Sequence, residues 1–429
     1  MSAVVPSEDE LKQTLIALKS ENTSLGIPKL HALLVAGHPD WTVSEKRTRK
    51  ILQNEGLTNA PPPSSKQPRL YPSSQIIKEL DISKWTDKVE VKDFGKRKGK
   101  GLVAKVPIAE GEVIWKEDPF VLAPEWGIYD LQATSRACAY CSTPLTDKPM
   151  AVECPSSISA AYCPARFCNR LCLTRSAITH PLLCPARNSA AVPLVNFARQ
   201  TSWQALHSVA QCTARLLLAY QQSEEAFEAD WKVVKALAVL GMEERFADLA
   251  AKGVEPDRAI WKKAYQVYVQ AFQDPPTESA KKKLAKILKK PLREDVAKEL
   301  FEYDGFLRSL GRMNLNQETH GGTYVLHSHL NHSCRPNISV RHLDQRTALS
   351  RITVIAKSDI DVGQELFVSY VDPDMGLKER RIQLAQWGFG ACRCERCLDE
   401  EKDLPKDEDK GDLDGLVSEL KAGFGVGGS

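Results

Sequence analysis

Cys392, Cys394 and Cys397 stand in C-x-C-x-x-C spacing near the end of the sequence. Three thiolates so close together are one ligand short of a tetrahedral zinc site. A far upstream stretch, Asn331-His332-Ser333-Cys334-Arg335-Pro336-Asn337, offers the fourth. Asn and Ser bend the backbone through their own side-chain hydrogen bonds and Pro fixes the exit, so a cysteine in this loop can reach a metal. Cys334 is therefore read as the ligand that joins two ends of one domain. A second cluster, Cys138-x-x-Cys141, Cys154, Cys163 and Cys168-x3-Cys172-x7-His180-x3-Cys184, holds seven cysteines and one histidine. These are enough soft ligands for two four-ligand zinc sites. Buried structural cysteines without metal are the other reading. It is disfavoured, because so short a polar segment has no other core to build.

The whole chain of 429 residues has room for two or three domains and a sizeable core. Its formal net charge of +3 does not announce a nucleic-acid binder. No uninterrupted apolar run approaches the roughly 20 residues that span a bilayer, and the N-terminus lacks a basic-then-apolar signal pattern. The expectation is a soluble, intracellular monomer with no membrane association. In a reducing compartment, twelve cysteines in clustered C-x-x-C spacings favour zinc over disulfides.

The elements that must position these residues follow in order. In residues 1–60, Leu11, Leu15 and Leu18, then Ile27, Leu30, Leu33 and Leu34, recur at helical spacing, with Pro28 at a helix start and Gly56 as a stop. Trp41-Thr42-Val43-Ser44 turns into a basic helix over 45–52. This arrangement resembles the helix-turn-helix segment of some transposases and integrases, which implies nucleic-acid or nucleosome contact through the basic helix. A small helical interaction module with a solvated charged face is favoured, because no base-reading residue is identified. Pro61-Pro62-Pro63-Ser64-Ser65 opens a linker.

From about residue 86 the pattern is strand-like, with Val89, Val91, Gly101-Leu102-Val103-Ala104 and Val113-Ile114-Trp115. Gly99 and Gly101 let a backbone approach a ligand closely, although a lone G-x-G is more often a hairpin turn. Residues 190–310 are helical in pattern, and aromatic stripes such as Trp261-x3-Tyr265-x2-Tyr268 are read as core. The lysine-rich helix over 281–290 can attract an acidic partner or a nuclear import receptor, with a solvated face the favoured explanation. The run 322–330 reads as strand-like, and strands return at 338–340, 347–349, 352–355 and 365–370. A helix at about 376–386 leads to Trp387-Gly388-Phe389, and the tail beyond Asp399, acidic and then Gly-rich, is expected to be disordered.

Several signatures coincide in order. Gly99-Lys100-Gly101, Asn331-His332-Ser333-Cys334, Gly363-Gln364-Glu365-Leu366 leading to Tyr370, and Cys392-x-Cys394-x-x-Cys397 together resemble a SET domain. The cysteine cluster inserted after the first strands resembles a MYND zinc finger. A SET domain split by MYND resembles the SMYD family of protein-lysine methyltransferases, over roughly residues 86–400. Only 32 residues follow Cys397, so the C-terminal helical-repeat domain of animal SMYD proteins is expected to be missing. The extra N-terminal unit and the acidic tail are more similar to fungal SET-domain histone methyltransferases of the type numbered five. The implied fold is α+β: a SET-domain β-fold of short strands, split by a MYND zinc finger and a helical insert, with a post-SET zinc site and a small N-terminal helical unit. The segments are a helix-turn-helix-like unit at 1–60, a linker at 61–85, the first part of SET at 86–137, the MYND-type finger at 138–184, and the helical insert at 185–310. The SET core at 311–373, post-SET at 374–400 and the tail at 401–429 complete the chain.

The resemblance implies S-adenosylmethionine-dependent methyl transfer to protein lysines, with a histone tail, by resemblance that of histone H4, as substrate in chromatin regulation. Interleaved MYND ligation implies one zinc on Cys138, Cys141, Cys168 and Cys172 and a second on Cys154, Cys163, His180 and Cys184. Eight residues separate Cys154 from Cys163 where two are usual. The post-SET zinc takes Cys334, Cys392, Cys394 and Cys397. Lys100 and Gly101 approach the cofactor. Asn331 and His332 hold its adenosyl and amino-acid parts, His332 largely through its backbone. Asn314 matches a cofactor-contacting asparagine, with Asn316 as the alternative. Tyr370 is the implied catalytic residue, orienting the amine and the methyl group, and Phe389 is the aromatic wall near the post-SET zinc; both also face the cofactor. Residues 1–60 and the MYND finger are implied contacts for a nucleosome or protein partner, in nucleus and cytoplasm. The alternatives are a non-catalytic adaptor and a methyltransferase of non-histone proteins. Tyr370 together with Asn331-His332 favours the enzyme, since a scaffold has no need of them.

Overall fold

The computed structural model describes residues 5–22, 25, 27–54, 71–95, 98–146, 150–157, 162–250, 255–343, 349–385, 387–388 and 391–402. Phe389, Gly56, the prolines at 61–63, Thr347-Ala348 and the tail beyond 402 lie outside them. The chain divides into two compact units, Met1–Arg69 and Leu70–Ser429.

In the first unit, Ser7 and Glu10 form a capping box that starts a helix at Glu8–Glu21. Helices Ile27–Gly37 and Glu45–Asn54 follow. Leu11 with Leu15, and Leu30 with Leu34, stand one turn apart and meet Ile51 and Leu52 in a small core. Lys46, Arg49 and Lys50 of the third helix stay exposed.

The strands of the second unit are short: β1 Val89–Asp93, β2 Lys100–Ala104, β3 Val113–Glu117, β4 Val121–Leu122, β5 Val152–Glu153, β6 Arg166–Phe167, β7 Gly322–Thr323, β8 Asn331–His332, β9 Ile338–Arg341, β10 Ile352–Ala356 and β11 Phe367–Val368. They form several small sheets: β1 with β2, β4 with β7, β5 with β6, a three-stranded β3-β10-β9, and the parallel pair β8 and β11. β2 is buried at every residue, so it reads as an unbroken apolar run after Lys100 and not as an alternation. Bridges from Val103 to Glu365 and from Ile108 to Ile360 stitch early and late strands around one core that includes Leu102, Trp115, Leu330, Ile352, Val354 and Leu366.

Helices from Ala191–Gln200 to Tyr303–Asn316 build a second core. Trp261 and Tyr268 are buried in it, and the Tyr268 hydroxyl is satisfied by the Leu300 carbonyl at 3.1 Å. Three expectations change. The run 322–330 is strand only at β7 and then turns through a 3₁₀ segment, His327–His329, because the backbone must reverse before β8. The last strand is limited to β11, so Tyr370 lies in the turn after it. Leu349, the described residue of the expected 347–349 strand, lies in a turn. Residues 71–75, placed in a linker by their composition, are also ordered: Ser73 pairs with Val239 through N–H···O bonds of 3.0 and 2.8 Å.

Glu117 fixes the turn that precedes β8. Its buried carboxylate accepts from Leu326 N at 2.8 Å, His327 N at 3.1 Å and Trp115 Nε1 at 3.2 Å. Burial pushes this carboxyl up to about 7 against the pull of those donors. The folded state therefore binds the proton more tightly than the unfolded one, and this group's contribution to stability falls as pH rises from 4.5 to about 7. Glu117→Ala leaves the three N–H groups without their acceptor. It is expected to cost about 2–4 kcal/mol in urea unfolding at pH 5 and to flatten that pH dependence.

Candidate active site

The parallel pairing of β8 with β11 sets Phe367 opposite Asn331 and Val368 opposite His332. The chain leaving β11 thus passes the Asn331-His332 pair, and the Tyr370 N–H donates to His332 Nδ1 at 3.0 Å. Since Nδ1 accepts, the neutral ring carries its proton on Nε2, 3.3 Å from Cys334 Sγ. Burial, with Arg380 nearby, draws the imidazole down to about 4, so it stays neutral. The Tyr370 hydroxyl donates to the Leu330 carbonyl at 2.7 Å, and its ring lies against Trp387 with centroids 4.6 Å apart. Burial raises the phenol, which keeps its proton.

A cavity of about 250 Å³ opens on one side of this wall. Lys100, Ser328, Asn331, His332, Tyr370 and Trp387 line it, with Pro72 and Ser74 contributed by the strand-like segment paired to Val239. The Asn331 amide donates to the Lys100 carbonyl at 3.0 Å and to Glu365 Oε1 at 2.8 Å. Its Oδ1 has no partner among the described residues. Glu365 is in turn paired with Lys98, whose ammonium sits over the rings of Phe94 and Phe367 at 4.4 and 4.9 Å. A Cβ on Gly101 would fall 2.6 Å from Phe94 Cε2 and 2.9 Å from both Asn331 Nδ2 and Glu365 Oε1, so any larger residue there displaces these side chains. The Lys100 ammonium donates to the Ala236 carbonyl at 2.9 Å, and burial draws it down to about 7.

A second cavity of about 180 Å³ shares Ala238, Leu315, Ser328, Leu330, Tyr370 and Trp387 with the first. Beyond that shared wall it is lined by Asn316, Gln317, Glu318, His327 and Ser369. Among the described residues, Glu318 is its one carboxylate and no Lys or Arg lines it.

Asn314 and Asn316 differ in direction, as two residues on a helix point about 200° apart. Asn316 faces the cavity and clamps Ala238 through both backbone groups, at 2.7 and 3.1 Å. Asn314 turns away to the Leu310 carbonyl and Met242 Sδ. Asn316 lines the second cavity and Asn314 lines neither, so neither asparagine is placed at the first cavity, where the cofactor contact was expected.

Three sets of four ligand atoms each gather within 4.8 Å: Cys138, Cys141, Cys168 and Cys172; Cys154, Cys163, His180 and Cys184; Cys334, Cys392, Cys394 and Cys397. A zinc tetrahedron with Zn–S bonds of about 2.3 Å has edges of about 3.8 Å. The thiols fit that size, with Cys141 to Cys168 at 3.6 Å, Cys154 to Cys184 at 3.8 Å and Cys397 to Cys334 at 3.4 Å. His180 Nε2 lies 3.7 Å from Cys163 Sγ and 3.4 Å from Cys154 Sγ.

Sequence reasoning missed Trp387, Glu318, the Lys98–Glu365 pair and the Pro72–Ser74 segment as parts of the site. Trp387 stood beside the last cysteine triplet, which was a usable signal. Pro72 and Ser74 carried none, because a proline-rich stretch hides them.

The SET-domain family model matches residues 99–371. A histone-lysine N-methyltransferase SET5 from Yarrowia lipolytica is 30% identical, over 97% of this chain and 87% of the relative. Proteins of the same name from Meyerozyma guilliermondii, 28% identical over 93% of this chain and 81% of the relative, and from Mycosarcoma maydis, 32% identical over 71% and 66%, are also similar. With the family model matching residues 99–371 and a relative 30% identical over 97% of this chain, the chain belongs to the SET-domain family.

Proposed function

We propose that this protein transfers a methyl group from S-adenosylmethionine to lysine side chains of histones, with the H4 tail the first candidate, and acts on chromatin in the nucleus. The observation that carries the reading is the pair of cavities that share a wall at Tyr370. Bound S-adenosylmethionine supplies an activated methyl on a sulfonium. The first cavity suits it. Asn331 Oδ1 is a spare acceptor, Lys100 Nζ is a donor for a carboxylate, and Leu315, Leu330 and Trp387 give apolar surface. The second cavity, which shares six lining residues with the first, admits the lysine. Tyr370, fixed by Leu330 and His332, aligns the amine in the shared wall, and the work is positioning and electrostatics. Cys138–Cys184 is read as a MYND-type finger with two zinc ions and the Cys334 set as a third, post-SET zinc. The N-terminal unit and the finger are read as partner contacts.

Incubating the purified protein with labelled S-adenosylmethionine and core histones tests this. Label on histone lysines is expected. No transfer, together with no cofactor binding by calorimetry, overturns the enzyme in favour of an adaptor. Gly101→Ala is expected to weaken cofactor binding at least about tenfold, because its methyl displaces Asn331 and Glu365. Isothermal titration checks it, with unchanged thermal unfolding as the control for folding.

A further inference from the structure

Helix Glu278–Ile287 buries Ala280, Leu284 and Ile287, and its opposite side carries lysines. Lys282 and Lys286 are exposed there, and Lys289 and Lys290 follow directly, also exposed. Lys281 is neutralised by Asp274 and Glu278 at 3.4 and 3.5 Å. Farther on, Arg293 is held by Glu224, Glu228 and Asp295. The four lysines between them form no ion pair among the described residues. Their backbone is nevertheless held. Gln221 Oε1 accepts from Lys289 N at 2.8 Å and Lys290 N at 2.7 Å, and Gln221 Nε2 donates to the Lys290 carbonyl at 3.0 Å. Lys283 reaches the Ala186 carbonyl at 3.4 Å, next to exposed Arg187, so the positive surface continues onto a second element.

Among the described residues of 278–290, charge is exposed and no large apolar side chain is. Among the described residues, no large apolar side chain is exposed between Ile178 and Leu343. Peptide recognition relies on buried apolar or aromatic anchors, which the lysine segment itself does not offer. Lysine ammonium groups on flexible stems act as point charges, which suits closely spaced phosphates of any sequence. We propose that Lys282, Lys286, Lys289 and Lys290 form a sequence-independent contact for the phosphate backbone of duplex DNA. It stands apart from the methyl-transfer site and does not rest on it.

The test is fluorescence anisotropy of the full chain with a labelled DNA duplex of arbitrary sequence, at stepped salt. The combined variant Lys282→Gln, Lys286→Gln, Lys289→Gln and Lys290→Gln is compared with a control carrying Lys84→Gln, Lys105→Gln, Lys262→Gln and Lys357→Gln. In the first, affinity at low salt is expected to fall at least about tenfold, and the slope of log K against log salt to shrink by about 0.9 for each phosphate that is no longer neutralised. The control is expected to match the parent protein, and methylation of free histones is expected to be the same in all three. The proposal fails if the four-lysine variant keeps the parent's affinity and slope, or if the control loses as much. It also fails if polyglutamate of equal charge competes as well as unlabelled duplex, which would make the partner an acidic protein.

Discussion

Tyr370→Phe is expected to lower kcat for methyl transfer by about 10²-fold or more while the Kd for S-adenosylmethionine changes little. The substitution removes one oxygen. The ring keeps its place against Trp387, 4.6 Å away, and the backbone N–H keeps its bond to His332, so the wall between the cavities holds its shape. What goes is the hydroxyl, which the Leu330 carbonyl orients at 2.7 Å. With its proton directed at that carbonyl, the hydroxyl would act toward the lysine amine as an acceptor and turn the nitrogen toward the methyl donor. Burial raises the phenol, so it is no base at neutral pH, and the amine's proton leaves by another route. The Leu330 carbonyl is left unpaired, which costs about 1–3 kcal/mol of stability. Single-turnover kinetics with calorimetry separate the two effects. A variant that keeps kcat within about threefold, or that loses cofactor binding, removes Tyr370 from the assigned role.

Cys334→Ser is expected to behave differently, lowering both cofactor affinity and kcat/KM by about 10²-fold. Cys334 follows His332 by two residues, and its set includes Cys392, Cys394 and Cys397, downstream of Trp387. Fully buried Arg380 adds to this junction, donating to the Met375 carbonyl at 2.5 Å and ion-pairing with Glu400. Arg396 donates to the Cys334 carbonyl at 3.2 Å. A metal on these four cysteines would hold the loop that carries Asn331 and His332 to the segment that carries Trp387. Metal affinity drives the order of such a site, so losing a ligand releases both walls together. Zinc measured by mass spectrometry is expected to fall by one ion per chain. Helical circular dichroism is expected to persist, because the core around Trp261 and Tyr268 is separate. Full zinc and full activity in Cys334→Ser would remove this coupling.

Chemistry was more legible in the sequence than geometry. Cysteine spacing shows ligands because metal coordination requires particular residue types at short separations. The helices around Trp261 and Tyr268 announced themselves through periodic apolar residues. Strand extents were harder: β8 and β11 are two residues each, too short to show a period of two, and their neighbours bend to form the cavity. The choice between Asn314 and Asn316 depended on helix phase, which a motif match does not supply. Asn316 also bonds a backbone segment 78 residues away, a contact with no local signature. The same holds for Ser73 and Val239.

That last pairing bears on how the protein is made. The first cavity draws on residues 72, 74, 98, 100, 238, 315, 328, 331, 370 and 387, which is most of the length of the second unit. Contacts so far apart in sequence form late, after long loops close. During synthesis, the hairpin of β1 and β2 leaves the ribosome well before Trp387 exists. Nascent chains that end before residue 387 therefore lack one wall of the first cavity, which is complete only once Trp387 has been added.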